Sequence, residues 1–108
     1  MTNKIKILME YCAGPLYIYD KNEDDGFPYF GEPPGYEDDQ ELVKLTDEIQ
    51  IIFNSLWVDN EIVFEYKGFD TKEEEQYFAK LIRDLRDMLV HKFSDKYIID
   101  VSDVEEYL

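Results

Sequence analysis

The stretch DQELVKLTDEIQIIFNSL, residues 39–56, decides how this chain folds. Leu42, Leu45, Ile49, Ile52, Phe53 and Leu56 recur at three- and four-residue intervals, which stacks them on one face of an α-helix. Asp38 or Asp39 supplies an N-cap for a helix that starts near Gln40. The pair Asp59-Asn60 sets its end between Ser55 and Val58. A stripe of this kind must be covered by other apolar surface. Downstream, TKEE at 71–74 has the form of a capping box, with Thr71 as N-cap and Glu74 reaching back. The helix it opens should run to about Phe93 and bury Phe78, Leu81, Ile82, Leu85, Leu89 and Phe93. Its outer face pairs Lys80 with Asp84 and Arg83 with Asp87 at i,i+4.

Upstream, Ile5, Ile7, Met9 and Tyr11 alternate with Lys6, Leu8 and Glu10, a strand pattern over residues 4–12. Ala13-Gly14-Pro15 punctuates it, and residues 16–19 form a second short strand, with Pro15 at its start. The two are expected to make a hairpin. Residues 20–37 hold breakers and no periodic pattern, and read as a long loop. Residues 61–69 read two ways: as a strand, from the alternation of Ile62, Phe64 and Tyr66, or as an aromatic connector under the helices. A last strand is expected over 97–101, and the acidic tail 102–108 is expected to fray. The order is β-β-loop-α-(β)-α-β. The expectation is an α+β fold in one domain, two amphipathic helices packed on one face of a small antiparallel sheet.

The chain has 108 residues and a formal net charge of −15, with 44% apolar and 16% aromatic residues. That apolar content supports a core despite the charge. Such a charge repels nucleic-acid phosphates and anionic lipid and attracts cationic proteins. With one cysteine, Cys12, the chain makes no internal disulfide, as suits a reducing compartment. No apolar run has the length of a membrane span or of a signal-peptide core, so the expected address is the cytosol.

The charge is uneven. Residues 20–41 carry nine acids against Lys21 alone, interleaved with Phe27, Tyr29, Phe30 and Tyr36 and with prolines and glycines. Residues 70–99 sum to only −1 and residues 100–108 to −4. An acidic, aromatic, turn-rich segment suits the gripping of a basic protein, because tyrosine is enriched at interface hot spots. The expected partner-binding residues are Asp20, Glu23, Asp24, Asp25, Tyr29, Phe30, Glu32, Tyr36, Glu37, Asp38 and Asp39.

Other chemistry is poorly represented. Asp20, Asn22 and Asp24 begin like a calcium loop, but Asp25 stands where that loop needs glycine, and Glu32 falls one place late. His91 is the sole histidine and sits beside Lys92 in the last turn of the second helix, where a cation complements the dipole. Cys12 has no local base. There is no phosphate loop, G-x-S-x-G or H-E-x-x-H. No metal, cofactor or catalytic residue is expected. Trp57 reads as half-buried at the end of the first helix.

The segments YCAGPLYIYD (11–20), FNSLWVDN (53–60) and FEYKGF (64–69) resemble short acidic immunity proteins of bacterial polymorphic-toxin and contact-dependent growth inhibition systems. The resemblance is one of pattern across most of the chain and transfers no site residues. It implies a non-enzymatic cytoplasmic protein that binds the toxic C-terminal domain of a cognate effector, often a basic nuclease, and occludes its active site, with no direct nucleic-acid or membrane contact. Two other readings use the same acids: a nucleic-acid mimic of the anti-restriction or anti-CRISPR type, or a calcium-binding module.

Overall fold

A computed structural model describes residues 3–9, 11, 15–19, 29–30, 33, 35–59 and 64–108. In chain order these form β1 (Asn3–Ile7), β2 (Leu16–Tyr19), β3 (Tyr29–Phe30), a 3-10 turn at Tyr36–Asp38, α1 (Gln40–Ser55), β4 (Trp57–Asp59), β5 (Phe64–Tyr66), α2 (Lys72–Phe93), β6 (Tyr97–Asp100) and a final 3-10 turn at Glu105–Tyr107. The architecture is α+β.

Both helices begin on a side-chain cap. Asp39 Oδ1 accepts the Leu42 N–H at 3.2 Å, and Thr71 Oγ1 accepts the Glu74 N–H at 3.1 Å. Each cap satisfies an amide that the first helical turn leaves without a carbonyl. Glu74 reaches back one residue further than the capping box requires, and its Oε2 accepts the Asp70 N–H at 3.3 Å. The buried faces match the stripes. Leu42, Ile49 and Phe53 of α1, with Leu56 just beyond it, meet Phe78, Leu81, Ile82, Leu85 and Leu89 of α2 in one core. Phe93, Leu45 and Ile52 are partly buried at its margin.

In the main sheet β1 pairs antiparallel with β2, opposing Ile5 to Ile18 and Ile7 to Leu16. The expected hairpin is present, but β1 ends at Ile7 and Cys12 lies outside the described residues. The strand order is β3-β2-β1-β6. Here the antiparallel expectation is corrected, because β6 runs parallel to β1, with Ile99 opposite Ile5. The reason is global. The two helices carry the chain across one sheet face, so β6 enters at the same end as β1, the geometry of a crossover rather than a hairpin.

Three further expectations change. Within 20–37, the described residues Tyr29–Phe30 pair with β2, and Tyr36–Asp38 coil into a 3-10 turn, so these are not loop. The ambiguous 61–69 segment contains a short strand, β5, whose partner β4 sequence reasoning assigned to the helix end. Trp57 stacks edge-on against Tyr66 across that ribbon, ring centroids 5.2 Å apart, and leans on Phe53 and Tyr11. The tail does not fray. Val104 is fully buried, and Tyr107 sets its ring edge against Phe78 at 5.1 Å. Two apolar side chains among acids are enough to dock it. That docking also diverts Arg83, whose Nη1 donates to the Tyr107 carbonyl at 3.1 Å, while Asp87 pairs with Arg86 at 2.9 Å. Lys80 and Asp84 pair as their spacing requires, at 2.9 Å.

Among the described residues nine apolar side chains are fully buried, each stabilising the fold by roughly 1.5–3 kcal/mol. The five ion pairs among these residues sit at the surface, part-exposed to exposed, and contribute about 0–1 kcal/mol each. The core therefore holds the fold, and the surface charge is available for other work.

Candidate partner-binding surface

The expected acidic segment divides in the structure. Asp20, Glu23, Asp24, Asp25 and Glu32 lie outside the described residues, and Tyr29 and Phe30 are placed by their backbone in β3. Tyr36, Glu37, Asp38 and Asp39 are brought together on one turn at the start of α1. Gly35 opens it with φ +86°, a left-handed conformation that glycine adopts without strain. Backbone bonds from Tyr36 to Pro33 (3.1 Å), Asp38 to Gly35 (3.2 Å) and Asp39 to Tyr36 (3.0 Å) close it.

Two of these four side chains anchor the turn. Tyr36 is half-buried, and its hydroxyl bonds the Thr46 hydroxyl inside α1. Thr46 Oγ1 lies 3.1 Å from the Leu42 carbonyl and 3.0 Å from that of Val43, which can only accept. The Thr46 proton therefore goes to the helix backbone, and Tyr36 donates to Thr46. Asp39 caps α1 through Oδ1 and pairs with Lys92 of α2 through Oδ2. The Lys92 hydrogen bond first, and the Leu42 amide second, hold its carboxyl below the usual aspartate value. The other two, Glu37 and Asp38, are exposed and enter no ion pair among the described residues, and Glu41 stands exposed one turn on.

A second acidic surface escaped sequence reasoning. The first turn of α2 carries Glu73, Glu74 and Glu75, all exposed, beside the half-exposed rings of Tyr66 and Tyr77. Glu75 and Glu106 both approach Tyr66 and Tyr107. Burial first, and these carboxylates after it, push the Tyr107 phenol up to about 12 and raise that of Tyr66. Tyr77 donates to Glu48 Oε1 of α1 at 2.5 Å, which raises its phenol too. The run EEE at 73–75, with Tyr77 two residues after it and Tyr66 seven before it, was visible in the sequence. Its near-neutral surroundings masked it.

Between the end of α1 and the start of α2 lies a cleft of about 380 Å³. The Leu56 carbonyl accepts both the Lys67 N–H (2.7 Å) and the Gly68 N–H (3.2 Å), which ties the connector to the helix end. Gly68, at φ +77°, turns the chain from β5 toward α2. Ile52, Leu56 and Phe69 supply apolar walls, and Asp70, Glu74 and Tyr77 supply oxygens.

Among the described residues no group of three or more His, Cys, Asp or Glu side chains is arranged to hold a metal ion. The calcium-like Asp20, Asn22 and Asp24 lie outside them. His91 is exposed in the last turn of α2. Among the described residues no helix is long and apolar enough to cross a membrane. The chain matches no protein-family model, no curated protein and no solved structure.

Proposed function

We propose that this is a non-enzymatic binding protein for a cationic protein partner, an immunity protein that occludes the basic toxic domain of a cognate effector, most simply a nuclease, in the cytoplasm. The observation that carries the reading is the exposed group Glu37, Asp38 and Glu41, without an ion pair among the described residues and held on a turn that Tyr36 and Asp39 anchor to both helices. With a net charge of −15, such a surface steers a basic partner. Association by steering reaches about 10⁸–10⁹ M⁻¹s⁻¹ at low salt and fades as the Debye length falls to about 8 Å at physiological strength. Carboxylates at the contact stand where substrate phosphates would bind.

The test is capture from the native host, followed by kinetics on the captured protein. A basic protein whose enzymatic activity is blocked by this chain supports the proposal. Glu37→Lys with Asp38→Lys should then slow low-salt association at least about tenfold with little change in melting temperature. A captured protein that is neutral or acidic, or an unchanged low-salt association rate, refutes it.

A further inference from the structure

We propose that the cleft between α1 and α2 is a receptor for one arginine side chain of the cationic partner, an inference that rests on the reading of a basic protein partner. The cleft has the two halves that an arginine needs. Ile52, Leu56 and Phe69 form an apolar wall for the three-carbon stem. Asp70 and Glu74 line the same space, and neither enters an ion pair among the described residues. Glu74 Oε2 accepts one long bond from the Asp70 N–H, at 3.3 Å, and its Oε1 accepts none from those residues. Tyr77 spends its proton on Glu48, so its oxygen presents lone pairs to an incoming donor.

Charge complementarity fixes the occupant. Among the described lining residues Lys67 is the one cation, against two carboxylates, and Glu73 and Glu75 stand on the same helical turn as Glu74. An anion is repelled, although a helix begins here, because Asp70 and Glu74 line the space and Glu73 and Glu75 add negative charge to the same first turn. A divalent metal finds only two carboxylates among the described lining residues. A purely apolar side chain would leave both carboxylates in a narrowed, partly dehydrated space. Between the two basic side chains, arginine fits better. Its guanidinium is flat, weakly hydrated and forked, so it lies against aromatic rings and takes two oxygens at once, whereas the lysine ammonium holds its water.

The test is an amide-resolved NMR titration of the whole chain with acetyl-Gly-Arg-Gly-amide, and with matched lysine and norleucine peptides. The expected result is saturable shifts at Gly68, Phe69, Asp70 and Tyr77 with the arginine peptide, tighter than with lysine, and none with norleucine. Asp70→Asn with Glu74→Gln keeps the acceptor for the Asp70 N–H, and so keeps the fold. It should weaken arginine binding at least about threefold, the scale of partly solvated charge contacts. Shifts spread equally over Glu37, Asp38 and the other exposed acids, equal binding of lysine, or no shift in the cleft would each overturn the assignment. If a basic partner is captured and binds the double variant as well as the natural chain, the cleft role fails while the partner reading stands.

Discussion

Replacing Val104 by alanine measures how firmly the acidic tail is docked. Val104 has no exposed surface and joins the core formed by Ile5, Ile7 and the α2 stripe. Truncation removes two methyl groups, about 0.8 kcal/mol each in transfer energy, and leaves a cavity that the neighbouring Phe78–Tyr107 contact keeps from collapsing. The expected loss is about 2 kcal/mol, or roughly 10 °C in melting temperature for a domain of this size. Urea unfolding followed by circular dichroism reads this directly, with an unchanged slope as the sign that stability alone has moved. The exposed Glu105→Gln is the control and should stay within about 0.5 kcal/mol. A Val104→Ala loss as small as the control's would mean that the tail is loose in solution and that the docking of Tyr107, and with it the Arg83 bond, is wrong.

Two pH effects follow. Asp39 is more acidic in the folded chain than an ordinary aspartate at 3.8, so its pairing with Lys92 stabilises the fold above that pH and is lost as pH falls through the folded value. Asp39→Asn keeps an acceptor for the cap, so its melting temperature should fall below that of the natural chain at neutral pH, and the gap should close under acid. A gap that persists to about pH 2 would contradict the ion pair. Tyr107 is raised from 10.0 to about 12, so its neutral form stabilises the fold fully below pH 10 and that contribution disappears as pH climbs toward 12. Ultraviolet titration of Tyr107→Phe should lack one phenol that ionises near pH 12 in the natural chain. Loss of an early one instead would place Tyr107 in solvent.

The helices were legible because each is written locally, as a stripe of period 3.6 with its own cap. Asp39 and Thr71 cap their helices whatever the rest of the chain does. The β1–β2 hairpin was legible for a similar reason, two alternating runs either side of a Gly-Pro turn. The direction of β6 was not, because four residues of Tyr97–Asp100 pattern alike in a parallel or an antiparallel pair, and the choice falls to where α2 delivers them. The tail misled because its acids outnumber its apolar residues, yet Val104 and Tyr107 alone meet the core. The site was half legible. Composition identified the acidic turn, but it could not separate Glu37 and Asp38, which face water, from Tyr36 and Asp39, whose bonding groups are taken up by Thr46 and Lys92. The cleft draws on α1, the 67–70 connector and α2, segments that meet only in the folded chain.

The parallel pairing of Asn3–Ile7 with Tyr97–Asp100 has a consequence for synthesis. An interior strand of the sheet acquires its second neighbour only after more than 90 further residues have been made. At about 5–20 residues per second, Ile5 and Ile7 wait several seconds with one flank unpaired. Closing so long a loop makes this step slow relative to helix formation.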